Sequence, residues 1–222
     1  MKKTAAKGIV LFMMAAALAG CSGDKKTIGE PEPKTEASGS LFTLSQVELP
    51  VSIQGSEFIV GQTTIQEILD DGFELMVSEW DGNDIIQHEL DPNDLLRAGT
   101  KNTEISFWIT NASFARLSIA AKTEDVRTGD ASITRLELHL SNEAEKLPSD
   151  ILIDGVPVTE LTRTRAGEMF PDFEQDSLSV TQRGEDYECA LMFNPQTLKL
   201  YHFTLRDTWG DAPEPEIKVP SI

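Results

Sequence analysis

The chain has 222 residues and a formal net charge of −18, from 19 basic and 37 acidic residues. This length suits one or two small domains, and a hydrophobic content of 40% is enough to bury a core. The acidity argues against a nucleic-acid partner, since phosphate binding needs a basic surface, and against electrostatic docking on anionic lipid. With only two cysteines, a disulfide-rich scaffold is excluded as well.

Residues 1–20 have the composition of a secretory signal peptide. Three lysines and no acid precede an apolar run at residues 8–17, which is shorter than the about 20 residues that span a bilayer. The tetrapeptide Leu-Ala-Gly-Cys that follows resembles the lipobox of bacterial lipoproteins. The resemblance implies cleavage between Gly20 and Cys21, diacylglycerol on the Cys21 thiol and anchoring at the extracytoplasmic face of the cell membrane. The alternative is an ordinary signal peptide with a chance cysteine near the cleavage site.

Residues 21–45 are predicted to be an acylated cysteine followed by a flexible tether. The stretch is rich in Gly, Ser, Lys, Glu and Pro and lacks apolar periodicity. A flexible chain of about 24 residues has a root-mean-square reach of roughly 25–30 Å, enough to hold a domain clear of lipid headgroups. Loss of residues 1–20 removes three lysines and no acid, so the net charge of the mature chain is −21. With Cys21 lipidated, Cys189 has no partner for an intramolecular disulfide.

The remaining chain is predicted to be α+β, with two related repeats at 46–143 and 144–208 and a loose tail at 209–222. Each repeat is expected to pack a short helix on an antiparallel sheet. A shift of 100 residues brings similar residues into register, which indicates an internal duplication. The pairs are Ile53 and Ile153, Gly55 and Gly155, Phe58 and Val158, Thr64 and Thr164, and Phe73 and Phe173.

Local signals place the helices. Thr64 and Glu67 form the pattern of a capping box, and Gly72 suits the left-handed cap at the end of this first helix. The second helix is expected at residues 164–170, since Pro171 stops it.

Alternating apolar and polar residues predict strands around residues 105–110 and 135–140. A further pair, at 187–193 and 198–205, is joined by a turn and predicts an antiparallel hairpin.

The segment from Gly61 to Phe73 resembles one found in uncharacterised lipoproteins of Gram-positive, gut-dwelling Firmicutes. There, a Gly-x-Thr-Thr turn leads into a short helix that ends in Asp-Gly-aromatic. Residues 105–111 also match the strand-then-Asn pattern of that group. The arrangement is similar as well to the tandem helix-plus-sheet repeats of beta-lactamase-inhibitor-like proteins. The resemblance covers roughly residues 47–206 and implies a fold, but it brings no catalytic residues.

Motifs that carry chemistry are missing from the sequence. His88, His139 and His202 each stand alone in a predicted strand, without the spacing of a zinc site. No nucleophile elbow and no glycine-rich phosphate loop occurs. Cys189 has acidic neighbours and is expected to be a buried apolar residue. The acidic segments at 79–84 and 91–94 fail the calcium-loop pattern and are expected to form turns. We therefore predict no catalytic residue, no metal and no cofactor.

Trp108 is the one candidate for a binding residue. It alternates with Ile105, Phe107 and Ile109, so it is an exposed contact if the sheet has one solvated face. It packs under the helix of its own half otherwise, and this second alternative is the one we favour from sequence. Together these features predict a non-catalytic, lipid-anchored binding module, whose partner is a protein or cell-wall material. The alternative function is a cell-envelope hydrolase with a dispersed active site.

Overall fold

The computed structural model describes residues 49–82 and 84–211. The predicted signal peptide at 1–20, the lipidation site Cys21, the tether and residues 212–222 of the predicted tail lie outside this range.

The described residues form fifteen strands, two α-helices and one 3₁₀ helix. The strands are β1 (Val51–Ile53), β2 (Ser56–Phe58), β3 (Met76–Trp80), β4 (Ile85–Glu89), β5 (Leu95–Leu96), β6 (Thr100–Thr110), β7 (Ser113–Ala121), β8 (Val126–Arg127), β9 (Ile133–His139), β10 (Ile151–Ile153), β11 (Val156–Pro157), β12 (Glu174–Gln175), β13 (Ser179–Arg183), β14 (Tyr187–Phe193) and β15 (Leu200–Asp207). The helices are α1 (Ile65–Asp70), α2 (Arg163–Met169) and the 3₁₀ helix (Ala144–Lys146). The fold is thus α+β and mainly β.

Nine strands build one antiparallel sheet in the order β12-β13-β14-β15-β9-β7-β6-β3-β4. At its centre β9 pairs with β15, although the two strands are far apart in the sequence. This pairing brings side chains from distant parts of the chain next to one another. A two-stranded sheet of β5 and β8 is separate from it.

Two short hairpins form a four-stranded sheet in the order β11-β10-β1-β2, in which β1 pairs antiparallel with β10. Each hairpin has a two-residue turn with positive φ at both positions, 53° and 91° at Gln54 and Gly55, and 48° and 75° at Asp154 and Gly155. This is the type I′ geometry that matches the twist of the flanking strands.

Helix α1 begins and ends as the sequence predicts. The Thr64 hydroxyl accepts a hydrogen bond from the Glu67 backbone N–H, and the Thr64 N–H donates to the Glu67 carboxylate at 2.8 Å, which completes the capping box. At the other end Gly72 has a φ of +92° and its N–H donates to the Leu69 carbonyl, while the N–H of Phe73 donates to Ile68. These two bonds form a Schellman motif.

Helix α2 is displaced from its predicted position. It begins after Thr162, whose side chain accepts from the Arg165 N–H, so the helix cap is Thr162 and not Thr164. The segment from the hairpin turn to the cap is two residues shorter here than the corresponding segment from Gly55 to Thr64. A constant shift of 100 residues is therefore wrong at the helices.

The predicted strands occur where the alternation placed them. Ile105, Phe107 and Ile109 are buried on β6, and β14 and β15 form the predicted hairpin. The buried residues on one face of the nine-stranded sheet pack with those of both helices and of the four-stranded sheet in one hydrophobic core. Among the described residues, no helix has the length and apolar composition needed to span a bilayer.

The first residues of the predicted tail contact the main sheet. Asp211 accepts from Lys101 at 3.1 Å and from Arg206 at 2.8 Å. The Lys101 ammonium also lies 5.8 Å from the ring centroid of Trp209, and that of Lys122 lies 5.9 Å from it. The described residues of the predicted tail thus pack against the main sheet.

Candidate functional site

The face of the nine-stranded sheet opposite the core, here called the open face, carries a row of side chains that cross five strands in direct register. The backbone pairing is Trp108 with Phe114, Phe114 with His139, His139 with His202, and His202 with Met192. We call these five residues the cross-strand row. Since residues directly opposite in a sheet have neighbouring side chains, the row is a continuous band across the open face.

The rings of the cross-strand row contact one another. The centroids of Trp108 and Phe114 are 5.4 Å apart. Phe114 and His139 are stacked at 4.4 Å, and His139 meets His202 edge to face at 4.8 Å. The Trp108 side chain at one end has an exposed fraction of 67%. The alternative favoured from sequence, in which Trp108 packs under a helix, is therefore wrong, and Trp108 is exposed. The reason is that β6 directs Ile105 and Phe107 into the core and places Trp108 on the opposite face.

A compact cluster of titratable groups lies in the middle of the row. The carboxylate of Glu137 places Oε1 at 3.3 Å from Nε2 of His202 and at 3.6 Å from Nε2 of His139. The Glu137 side chain is only 9% exposed, and both imidazoles are half-buried. We call Glu137, His139 and His202 the central cluster.

The second oxygen of Glu137 has a different partner. Nη2 of Arg135 donates to Glu137 Oε2 at 2.5 Å, so the carboxylate bridges a guanidinium on one side and two imidazoles on the other. The hydroxyl of Thr204 lies 2.9 Å from Nε2 of His202. In contrast, Nε2 of His139 is buried and has no hydrogen-bond partner among the described residues. Buried polar atoms without a partner are rare, and they are costly.

Burial lowers the pKa of His139, and the charges of His202 and Arg116 act in the same direction against the carboxylate of Glu137. Burial likewise lowers the pKa of His202, with Arg135 acting in the same direction and Glu137 against it. Burial thus favours the neutral form of both imidazoles, in which one ring nitrogen has a free lone pair.

A groove of about 270 Å³ lies beside Trp108 on the open face. It forms where β3 pairs with β6 through Met76 and Val77 and then separates from it toward Trp80. Its wall combines apolar, amide and charged groups from Ser78, Ile85, Gln87, Glu104, Trp108 and Arg116.

Other candidates from the sequence lie apart from this site. His88 is exposed on β4, where Nε2 is 3.4 Å from a carboxylate oxygen of Glu79. Cys189 is fully buried, and burial raises the pKa of its thiol to about 12. The acidic segments form turns, since the Asp81 carboxylate accepts from the Asp84 N–H and that of Asp91 from the Asn93 N–H.

The central cluster is the feature that sequence reasoning missed. His139 and His202 lie 63 positions apart in the sequence and gain a shared carboxylate only through the pairing of β9 with β15. One local signal was available, because Glu137 and His139 lie two positions apart on a predicted strand and hence on the same face. The side chain that completes the cluster depends on strand order, which alternation does not give.

Comparisons with protein-family models, with curated proteins and with solved structures gave no match to this chain.

Proposed function

We propose that this protein is a non-catalytic binding module, tethered by lipid at the extracytoplasmic face of the cell membrane, and that the open face is its contact surface. The observation that carries the proposal is the cross-strand row, which ends in the exposed indole of Trp108. Its partner is a protein or cell-wall material. The proposal places the protein with the lipobox-containing lipoproteins that its sequence resembles.

The chemistry of the open face supports a role in binding. Aromatic side chains contribute a large contact area at low conformational cost, and tryptophan is among the residues that most often dominate binding energies. Trp108 is held from one side by Phe114 and borders the groove beside β3. An indole that already packs against a neighbouring ring on one side loses less freedom when a partner covers it.

The anchor is supported by the sequence of residues 1–21. Because the mature chain carries a net charge of −21, an anionic membrane repels it. A covalent lipid at Cys21 overcomes this repulsion, provided that two or more acyl chains are attached. The variant Cys21→Ser is expected to take up no labelled fatty acid and to leave the membrane fraction or remain unprocessed. Labelling of this variant at the level of wild type contradicts the anchor.

The same proposal includes a fold of two related repeats. One support is the pair of isolated bridges, which join Thr64 to Ser132 and Thr162 to Lys199. In each case a helix cap pairs with the residue directly before a central strand, β9 or β15.

A second support for the repeats is the order of the main sheet. Read toward the centre of the sheet, the strands run β3-β6-β7-β9 on one side and β12-β13-β14-β15 on the other, so each set lies in the order of the chain. Each set follows a hairpin and a helix in the chain, with β4, β5 and β8 as additions to the first.

Site-specific photo-crosslinking in intact cells tests the contact surface. A photoreactive amino acid is placed at position 108 of the full chain and, as a matched control, at position 95. Leu95 is also exposed, at 51%, but it belongs to the separate sheet of β5 and β8. We expect a discrete crosslinked species from position 108 that is absent from position 95. Identical crosslinking from the two positions, or none from position 108, contradicts the assignment of the open face.

A further inference from the structure

The carboxylate of Glu137 and the imidazoles of His139 and His202 converge on one point of the open face. One ligand atom from each side chain lies within 4.8 Å of the other two. We propose that this central cluster binds a divalent transition metal ion and that zinc is the ion it fits best. The proposal goes beyond the binding role and holds whether or not the open face has a macromolecular partner.

The types of ligand atom decide the class of ion. Two imidazole nitrogens and one carboxylate oxygen are a ligand set that proteins use for zinc, with water or another ligand in the fourth position. Magnesium and calcium prefer oxygen ligands throughout, so the two histidines favour a transition metal over them.

Two of the three separations fit a tetrahedral ion. Zinc bonds to nitrogen and oxygen of about 2.0–2.2 Å place neighbouring ligand atoms about 3.4 Å apart. Glu137 Oε1 is 3.3 Å from Nε2 of His202 and 3.6 Å from Nε2 of His139. The carboxylate oxygen therefore already has the separation from each imidazole nitrogen that two ligands of one ion need. All three ligand atoms lie within 4.8 Å of one another, so the two imidazole nitrogens have to come to about 3.4 Å when an ion binds.

The surroundings hold the three ligands in place. Arg135 binds Glu137 Oε2, which leaves Oε1 directed at the histidines, and Phe114 stacks on the ring of His139. Groups that orient metal ligands in this way raise affinity. The ligands also project from β9 and β15, two paired strands at the centre of the sheet. Finally, the buried Nε2 of His139 has no hydrogen-bond partner among the described residues, and a metal ion would instead coordinate its lone pair.

Two features reduce the affinity. The hydroxyl of Thr204, 2.9 Å from Nε2 of His202, has to give up that contact when the nitrogen binds a metal. The guanidinium of Arg135 is hydrogen-bonded to the Glu137 carboxylate, and its positive charge disfavours a second cation beside it.

Zinc binding to the full chain in mild detergent, measured by competition with a fluorescent chelator, tests the site. The variants are His139→Asn, His202→Asn and Glu137→Gln, which keep a polar side chain of smaller or equal size. His88→Asn is the matched control, because His88 also contacts a glutamate but lies on β4, outside the cluster. Circular dichroism checks that each variant is folded, and thermal unfolding with and without zinc gives a second readout.

We expect wild type and His88→Asn to bind zinc alike, and each cluster variant to bind it at least about tenfold more weakly. Zinc should raise the melting temperature of wild type and His88→Asn and leave that of the cluster variants unchanged. If one variant does not fold, the other two decide. Absence of saturable zinc binding by wild type, or zinc affinity equal to that of wild type in both His139→Asn and His202→Asn, overturns the proposal and leaves the cluster as a metal-free polar network.

Discussion

The ring of Phe114 on β7 lies nearly parallel to the imidazole of His139 on β9, with centroids 4.4 Å apart and an interplanar angle of 7°. The two residues are direct partners in the strand register. A stack of this kind fixes the rotamer of a ring that is otherwise free to turn about its side-chain bonds. Phe114 thereby directs Nε2 of His139 toward Glu137.

Replacement of Phe114 by alanine should reduce both stability and order at the central cluster. The lost stack is worth about 0.5–1.5 kcal/mol beyond the apolar area that the half-buried ring covers, so the free energy of unfolding in urea should fall by at least about 1 kcal/mol. Zinc affinity should fall several-fold, because His139 is no longer oriented. Phe114→Tyr keeps the stacked ring and is expected to behave as wild type. Equal zinc affinity in both variants is the outcome that removes Phe114 from its positioning role.

Much of the fold could be predicted because its signals are local. The capping box at Thr64 and the cap at Gly72 depend on residues within one helix, and each occurs as predicted. The alternation of Ile105 and Phe107 with Trp108 predicted the strand, since a period of two needs only neighbouring residues. The choice between the two faces was beyond this reasoning, because it depends on what covers each face.

The central cluster could not be predicted for a related reason. Alternation places Glu137 and His139 on one face of β9, yet it does not say which strand lies alongside. His202 becomes a neighbour because β15 pairs with β9 and the register puts His202 opposite His139. Strand order and register depend on packing across the whole sheet, and these are the terms that a single sequence leaves open.

Loss of the helix cap should weaken α1. In Thr64→Ala the Glu67 N–H loses its acceptor and the hydroxyl contact with the Glu67 carboxylate disappears. We expect a loss of about 1 kcal/mol in the free energy of unfolding. Thr162→Ala is the matched comparison, because Thr162 caps α2 through one bond to the Arg165 N–H. A cost for Thr162→Ala well above that for Thr64→Ala contradicts the added value of the capping box.

The charge of Glu67 gives the same helix end a pH dependence. The backbone N–H and the hydroxyl of Thr64 lower the pKa of Glu67 from its ordinary value of 4.5. A carboxylate with a lowered pKa stabilises the fold above its unfolded pKa, and this stabilisation is lost as the pH falls through the folded one. Glu67→Gln should thus be less stable than wild type at pH 7, with a difference that shrinks below pH 4.5. Urea unfolding at pH 7 and pH 3 measures it, and a difference independent of pH contradicts the assignment.

Cys189 should be inert toward thiol reagents in the folded protein. Its side chain is fully buried, and with a thiol pKa of about 12 the thiolate is a minor species at pH 8. In a Cys21→Ser background, we expect iodoacetamide to label Cys189 in denaturant but not under native conditions. A cysteine introduced at the exposed position 95 serves as the positive control. Rapid native labelling of Cys189 is the contrary result.

The two hairpin turns offer a direct comparison of the proposed repeats. Gly55 and Gly155 have φ values of +91° and +75°, and a Cβ at either position meets no atom within 4 Å. Substitution by alanine therefore adds backbone strain without a clash, at a cost of about 1 kcal/mol. Gly55→Asn and Gly155→Asn should recover part of this loss, since asparagine tolerates the left-handed region.

If the hairpins occupy equivalent positions, Gly55→Ala and Gly155→Ala should cost similar amounts in urea unfolding. Because β1 pairs with β10, the two turns also belong to one sheet, so strain in either hairpin weakens the same four strands. The loss of unfolding free energy in the double variant is then expected to differ from the sum of the two single losses, as it does for neighbouring sites. Strict additivity together with unequal single costs contradicts an equivalent, coupled pair of hairpins.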